Sequence, residues 1–255
     1  MSETCRHDRS IDRNESSLPR PFLSVIIPAF NEAGRLPAAL GSIVDFFGSQ
    51  GIFGEVIVVD NASTDRTAGI TADFASRYPF IRYLYEATRG KGAAVRTGIL
   101  AGEGDYLLIS DADLAVPLTE VKKLLSPLQG DFDIAIGSRE SEGAVRYNEP
   151  SYRHLMGRVF NRIVRLLVLP DIRDTQCGFK CFRRDAARRL FSKSKINGWS
   201  FDVEILCMAR EKGYRVIEQP VNWYYGAGSK VRPLRDTWLM LRELIRIRRK
   251  CRGGR

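Results

Sequence analysis

The feature that most restricts the fold is a repeated change of hydrophobic period through the first half of the chain. Short runs rich in β-branched and aromatic residues occur at 22–27, 55–59, 80–85, 105–109 and 132–136. Longer segments with helical spacing separate them, at about 36–47, 65–78, 92–100 and 118–128. A strand that returns to its neighbour through a helix pairs in parallel and needs helices over both faces. The expected class is therefore α/β, with a mainly parallel central sheet flanked by helices. Ligands of such sheets bind beyond the C-terminal strand ends. Two polar segments fall there, Asp60-Asn61-Ala62-Ser63-Thr64-Asp65 and Ser110-Asp111-Ala112-Asp113. The second half is less regular, with helices expected at 152–169, 185–191 and 201–211 and a strand at 214–219. One domain is expected over 22–232, after a disordered tail at 1–21 and before a basic amphipathic helix and tail at 233–255.

The net charge of +10 is unevenly placed. Between 153 and 195 there are 12 Lys/Arg against 3 Asp/Glu, and between 230 and 255 there are 10 against 2. Such asymmetry implies a polyanionic partner: nucleic acid, a phosphorylated ligand or an anionic membrane. No helix-turn-helix, zinc-finger or RNP aromatic pattern supports a nucleic-acid-binding module, so nucleic acid is not the expected partner. No run approaches the ~18 apolar residues of a membrane span. The first 21 residues also lack the apolar core of a signal peptide. A cytoplasmic chain is expected, soluble or peripheral on the cytoplasmic face of a membrane. Two histidines and five cysteines do not make a Cys/His zinc cluster at the usual spacing. Cys177 and Cys181 are spaced for a metal pair or a disulfide, but the cysteines are expected to be reduced and mostly packed.

Asp111-Ala112-Asp113, directly after the apolar run Tyr106-Leu107-Leu108-Ile109, is the sharpest chemical signal. Two carboxylates one residue apart at a strand end can both reach a hard cation such as Mg2+ or Mn2+, which often bridges a carboxylate to phosphate oxygens. The bland alternative is one helix cap and one solvated acid. Asp60 closes Val56-Ile57-Val58-Val59 and can accept hydrogen bonds from a base or ribose, or serve the turn that follows. Arg89-Gly90-Lys91-Gly92 joins a flexible turn, two cations and a helix start, which suits a phosphate or is a plain charged turn. Ser229-Lys230, after Gly226-Ala227-Gly228, reads as a loop that closes over a phosphate or simply moves. Together these fit transfer from a nucleoside diphosphate, with metal and cations stabilising the departing diphosphate.

The ordered set Val25-Ile26-Ile27-Pro28-Ala29-Phe30-Asn31-Glu32, Val58-Val59-Asp60, Arg89-Gly90-Lys91-Gly92, Asp111-Ala112-Asp113 and Gly137-Ser138-Arg139 resembles family 2 glycosyltransferases of the GT-A fold. The likeness runs from about Leu23 to Arg248 and is greatest for the polyprenyl-phosphate sugar synthases of the dolichyl-phosphate β-glucosyltransferase type. Asp174-Thr175-Gln176-Cys177-Gly178-Phe179-Lys180, Trp199-Ser200-Phe201-Asp202-Val203-Glu204, Asn222-Trp223 and Gly228-Ser229-Lys230 carry that closer likeness. The resemblance implies that Pro28, Asn31, Glu32, Asp60 and Lys91 line the nucleotide pocket, and that Asp111 and Asp113 hold Mg2+ or Mn2+ on the donor diphosphate. It places Arg139 and Arg153 at the lipid phosphate, and Ser229 and Lys230 on a loop over the phosphates. Asp202 lies where many inverting relatives keep a base. A phosphate acceptor is already ionised, so Asp202 and Glu204 are expected instead to orient the sugar or pair with arginines. The implied reaction is inverting transfer of glucose from UDP-glucose to a polyprenyl phosphate, with GDP-mannose or another UDP-sugar as the alternative donor.

Two departures stand out. The family usually has Asp-Gly where this chain has Asn61-Ala62, and eukaryotic relatives of the glucosyl type carry an N-terminal membrane helix not expected from this sequence. The segment from about Pro233 is expected to substitute as a membrane contact. On a helix Leu234, Trp238, Leu241 and Ile245 share one face, beside a stripe of Arg235, Arg242, Arg246 and Arg249. The same face is compatible with packing on the domain or with oligomerisation.

Overall fold

The computed structural model describes residues 20–226 and 233–252. Leu23–Ala29 (β1), Gly54–Asp60 (β2), Ile81–Tyr85 (β3) and Tyr106–Ile109 (β4) alternate with Leu36–Gln50 (α1), Thr67–Arg77 (α2) and Lys91–Ala101 (α3). Val121–Gln129 (α4), Ile134–Ser138 (β5), Val145–Tyr147 (β6), Ser151–Leu167 (α5), Lys180–Arg183 (β7), Arg184–Phe191 (α6), Phe201–Glu211 (α7), Val216–Pro220 (β8), Asn222–Tyr224 (β9) and Pro233–Arg252 (α8) follow. The central sheet has the order β3-β2-β1-β4-β7-β5-β8, and β6 pairs with β9 in a separate ribbon. Within the central sheet β7 runs antiparallel to both its neighbours, and the remaining pairs are parallel.

The alternation of side chains along each strand explains why both faces are apolar. Val25 and Ile27 of β1 face a core with α1, α2 and α4, whereas Ile26 faces a core with α3, α5, α6, α7 and α8. Helix α1 stops where Gly51 enters the left-handed region at φ 59°, a conformation that glycine adopts without a Cβ penalty. The helices follow the expected segments closely, and α7 coincides with 201–211.

The sequence pattern did not reveal β6, β7 or β9. Each has three or four residues, and β7 begins and ends on a cation, so no apolar run marks it. Yet β7 sits between β4 and β5, with Cys181 opposite both Leu108 and Ala135.

Cys177 and Cys181 are free and buried, as expected, and Cys207 on α7 faces Cys251 on α8 across a Cα–Cα distance of 6.5 Å. The two lie 44 residues apart, and only the docking of α8 on α7 brings them together. Met240, Leu244 and Ile247 of α8 are buried in the core, while Trp238 and Ile245 are exposed. The apolar stripe expected from Trp238 to Ile245 is thus divided: Leu241 packs partly against the core and Trp238 carries Arg242 on its ring. The side chains of Leu234 and Arg235 lie outside the described residues.

Candidate active site

Asp111 and Asp113 follow β4 in the middle of the sheet, where β1 and β7 flank it. Leu114, with φ 46°, turns the chain directly after them. Asp113 Oδ1 accepts a hydrogen bond from the Ala115 amide at 3.1 Å, so this acid also holds the turn. Its carboxyl is raised above the ordinary range by burial and by the nearby charge of Asp111. Two close carboxylates with that mutual cost are a fitting place for a cation.

Cations of the chain already approach the pair. Lys91, the first residue of α3, places Nζ 2.6 Å from Asp111 Oδ1. Burial opposes the charge of Lys91, but Asp111 and Asp202 together hold its pKa above the ordinary lysine value. Arg35 Nη1 stands 3.7 Å from Asp113 Oδ2. Its Nε and Nη2 donate to Glu32 at 2.6 Å each. Glu32, Arg35 and Asp113 thus link the end of β1 to the acidic pair. Lys91 thereby meets the carboxylate of Asp111 itself, not only the pocket beside it.

The end of β2 is built by hydrogen bonds from the polar run after Asp60. Asp60 is buried, accepts from the Ser63 amide at 2.9 Å, and accepts from the Tyr83 hydroxyl at 3.1 Å. It therefore serves the turn whatever else it binds. Asn31 has φ 53° and accepts from the Thr64 amide at 2.8 Å, which ties the β1 and β2 ends together. Pro28 lies on β1 opposite Val59.

At the position of the family's glycine, Ala62 still takes a left-handed φ of 57°. An L-residue there costs roughly 1–2 kcal/mol. Asn61 supports this strained turn: its side chain donates to the carbonyls of Glu86 and Thr88 and accepts from the Gly90 amide at 2.7 Å. That contact also positions the Arg89–Lys91 turn.

Arg139 and Arg153 are in different states. Arg139 donates from its amide and Nε to Asp174 Oδ2 at 3.0 and 2.7 Å, and from Nη2 to Oδ1 at 2.9 Å. Its guanidinium also lies 5.5 Å from the centre of the Trp223 ring. Only Nη1 has no acceptor among the described residues. Arg153, on the first turn of α5, rests on Tyr225 at 5.3 Å and has no ion pair among the described residues. Asp202 pairs with Lys180, not with an arginine, at 2.6 Å. Glu204 Oε2 accepts from the Ser194 hydroxyl and the Lys195 and Ile196 amides, so it orders a loop. Ser229 and Lys230 lie outside the described residues.

Residues 24–191 match the family profile Glycosyl transferase family 2. The chain belongs to that family. The glycosyltransferase is 34% identical to the dolichyl-phosphate beta-glucosyltransferase of Dictyostelium discoideum, over 94% of this chain and 77% of that protein. It is 36% identical to the protein of the same name from Homo sapiens, over 92% of this chain and 78% of that protein. Among solved structures it resembles glucosyl-3-phosphoglycerate synthase from Mycobacterium tuberculosis, crystallised with Mn2+, UDP and glucosyl-3-phosphoglycerate. That match has a TM-score of 0.68 at 21% identity and covers 91% of this chain and 80% of that one. The fold is GT-A, as the sequence resemblance implied.

In this glycosyltransferase several site residues carry no role that the sequence assigned. Arg35, Asn61 and Lys180 are single polar residues whose partners lie in other segments, and only the fold reveals the pairing. Gly178 is the most exacting of them. A Cβ there would fall 2.0 Å from Asp111 Oδ2 and 2.6 Å from its Cγ, so the backbone at 178 lies against the carboxylate. Gly178→Ala is expected to displace Asp111 and, if the acidic pair holds a divalent cation for a nucleotide, to weaken UDP binding in the presence of Mn2+ by about tenfold or more. Calorimetric titration measures this, and wild-type affinity in the variant would contradict the placement.

Proposed function

We propose that the chain transfers glucose from UDP-glucose to a polyprenyl (dolichyl-type) phosphate with inversion, giving a β-linked glucosyl phosphoryl lipid. The observation that carries the reading is the pair of relatives just described, each named for dolichyl phosphate and a β-glucosyl product and each aligned over nearly the whole chain. Family 2 membership and the acidic pair at the sheet's C-terminal edge support it.

The donor set around Asp111 and Asp113 fits a hard divalent cation: oxygen ligands, two adjacent charges, and an ammonium already standing at the Asp111 oxygen. Asp111 and Asp113 would hold Mg2+ or Mn2+, which supplies electrostatic stabilisation to the leaving diphosphate. Lys91 adds a proton-bearing cation on the same side. Pro28, Asn31, Glu32 and Asp60 form the wall for the nucleotide. Arg153 and the remaining Nη1 of Arg139 are the cations for the acceptor phosphate, whose oxygen attacks the anomeric carbon as UDP departs. No side chain has to remove a proton from an ionised phosphate, which frees Asp202 from acting as a base.

A panel of UDP-glucose, UDP-GlcNAc and GDP-mannose, each titrated with Mn2+, tests the donor. Tight binding of UDP-glucose alone is the expected result, and preference for another nucleotide sugar would discard it. Arg153→Ala is expected to raise KM for the acceptor by about tenfold or more while UDP affinity changes little. Loss of UDP binding in that variant would overturn the assignment.

Membrane contact belongs to the same proposal. No helix among the described residues is long and apolar enough to cross a membrane. Helices α5 and α8 pack together, and each exposes large apolar groups: Tyr152, Leu155, Met156 and Val159 on α5, Trp238 and Ile245 on α8. Exposed Arg158 and Arg162 on α5, with Arg242, Arg246 and Arg249 on α8, interleave with them. Apolar groups framed by arginines suit the headgroup region of an anionic bilayer. Leu155→Asp with Met156→Asp should abolish sedimentation with phosphatidylserine vesicles, and unchanged sedimentation would remove α5 from the contact.

A further inference from the structure

We infer that Lys180 is a positioning residue for the donor site: it holds Asp202 in place so that Asp202 does not capture Lys91. The inference rests on the donor reading above. Lys180 opens β7 opposite Ile109, two residues before Asp111, and its side chain is only 2% exposed. An ammonium buried inside a sheet is costly unless an ion partner answers it. Asp202 Oδ1 does so at 2.6 Å, and the Cys177 carbonyl accepts a second hydrogen bond. Asp202 is itself buried in the first turn of α7, where the helix end favours a carboxylate.

The starts of α3 and α7 meet at this point. A Cβ on Gly92 would lie 2.7 Å from that of Phe201, and Lys91 Nζ stands 5.7 Å from the centre of the Trp199 ring. Lys91 therefore lies between Asp111, its hydrogen-bond partner, and Asp202, whose charge acts on it through space. Lys180, Asp202, Lys91 and Asp111 alternate in sign across β7, α7, α3 and the turn after β4. Asp113 extends the row and faces Arg35, which Glu32 already engages.

Each carboxylate of the inner row thus has its own ammonium. Without Lys180, Asp202 is a buried charge, and Lys91 is the other cation among the described residues whose charge bears on it. Lys91 is then drawn toward α7 and away from both Asp111 and a diphosphate. Lys180 acts through these two side chains and needs no contact with the donor.

The test titrates UDP with Mn2+ into the wild type, Lys180→Met, Asp202→Asn and the double variant, with thermal unfolding of each. Lys180→Met is expected to weaken UDP binding by about tenfold or more, and the double variant to return within about threefold of the wild type, because the capturing carboxylate is gone. A double variant that binds no better than Lys180→Met gives Lys180 a packing role only and overturns the inference. So does wild-type affinity in Lys180→Met. If Lys180→Met does not fold, the double variant decides alone: near-wild-type affinity supports the inference, and weak binding by a folded or unfolded double variant overturns it. A wild type that does not bind UDP at all refutes the donor reading, and this inference falls with it.

Discussion

Asp113→Ala is expected, on the proposed function, to remove UDP binding that depends on Mn2+ and to lower turnover by about 10³-fold or more, the scale of losing a principal electrostatic stabiliser. The acid has two duties that a second variant separates. Its Oδ1 accepts from the Ala115 amide and its Oδ2 faces Arg35. Asn at this position keeps an acceptor for Ala115 but carries no charge. Asp113→Asn is therefore expected to fold as the wild type and to be as inactive as Asp113→Ala. Calorimetric titration of UDP with Mn2+, beside a turnover assay, gives both readouts. Substantial activity in the Asn variant would show that Asp113 matters as a turn residue and not as a charge.

Asp174→Asn is expected to lower stability by about 3 kcal/mol, because it leaves the largely buried guanidinium of Arg139 without its anion. For a chain of this size that is a fall on the order of 10 °C in Tm, measured by calorimetry. Burial alone would raise the Asp174 carboxyl, but the Arg139 charge and its hydrogen bonds outweigh it and hold the group well below the usual carboxylate range. The sign of the pH effect follows. A depressed folded value means the pair contributes fully above the unfolded aspartate value, about 4, and its contribution drains as pH falls toward the folded one. The wild type should therefore lose stability below about pH 4 more steeply than Asp174→Asn. Equal stability of the two at neutral pH would contradict the role given to this pair.

The parts of the molecule that were legible in the sequence share a physical cause. Strands β1, β2 and β4 are buried on both faces, so continuous apolar runs such as Val56-Ile57-Val58-Val59 announce them. Their ends announce themselves too, because the change from apolar to acidic at Asp60 and Asp111 is abrupt. Contacts between distant segments were hidden. The resemblance assigns Arg139 to the lipid phosphate, and nothing local discloses that Asp174, 35 residues on, occupies most of its fork. Asp202 was expected to meet sugar or arginines, yet its partner is a lysine on a four-residue strand that no pattern marked. The C-terminal helix showed its amphipathic character correctly, but period alone does not tell which part of a wide apolar face meets the core. Met240 and Leu244 do, and Trp238 does not.

The most direct test of the central claim is transfer of radiolabelled sugar to a short-chain polyprenyl phosphate, with UDP-glucose, UDP-GlcNAc and GDP-mannose compared in Mg2+ and in Mn2+. Label is expected in the lipid from UDP-glucose, with a β-linked product and no transfer when the metal is chelated. Intact nucleotide binding with no lipid product from any donor would contradict it, and would mean that Arg139 and Arg153 serve some other acceptor.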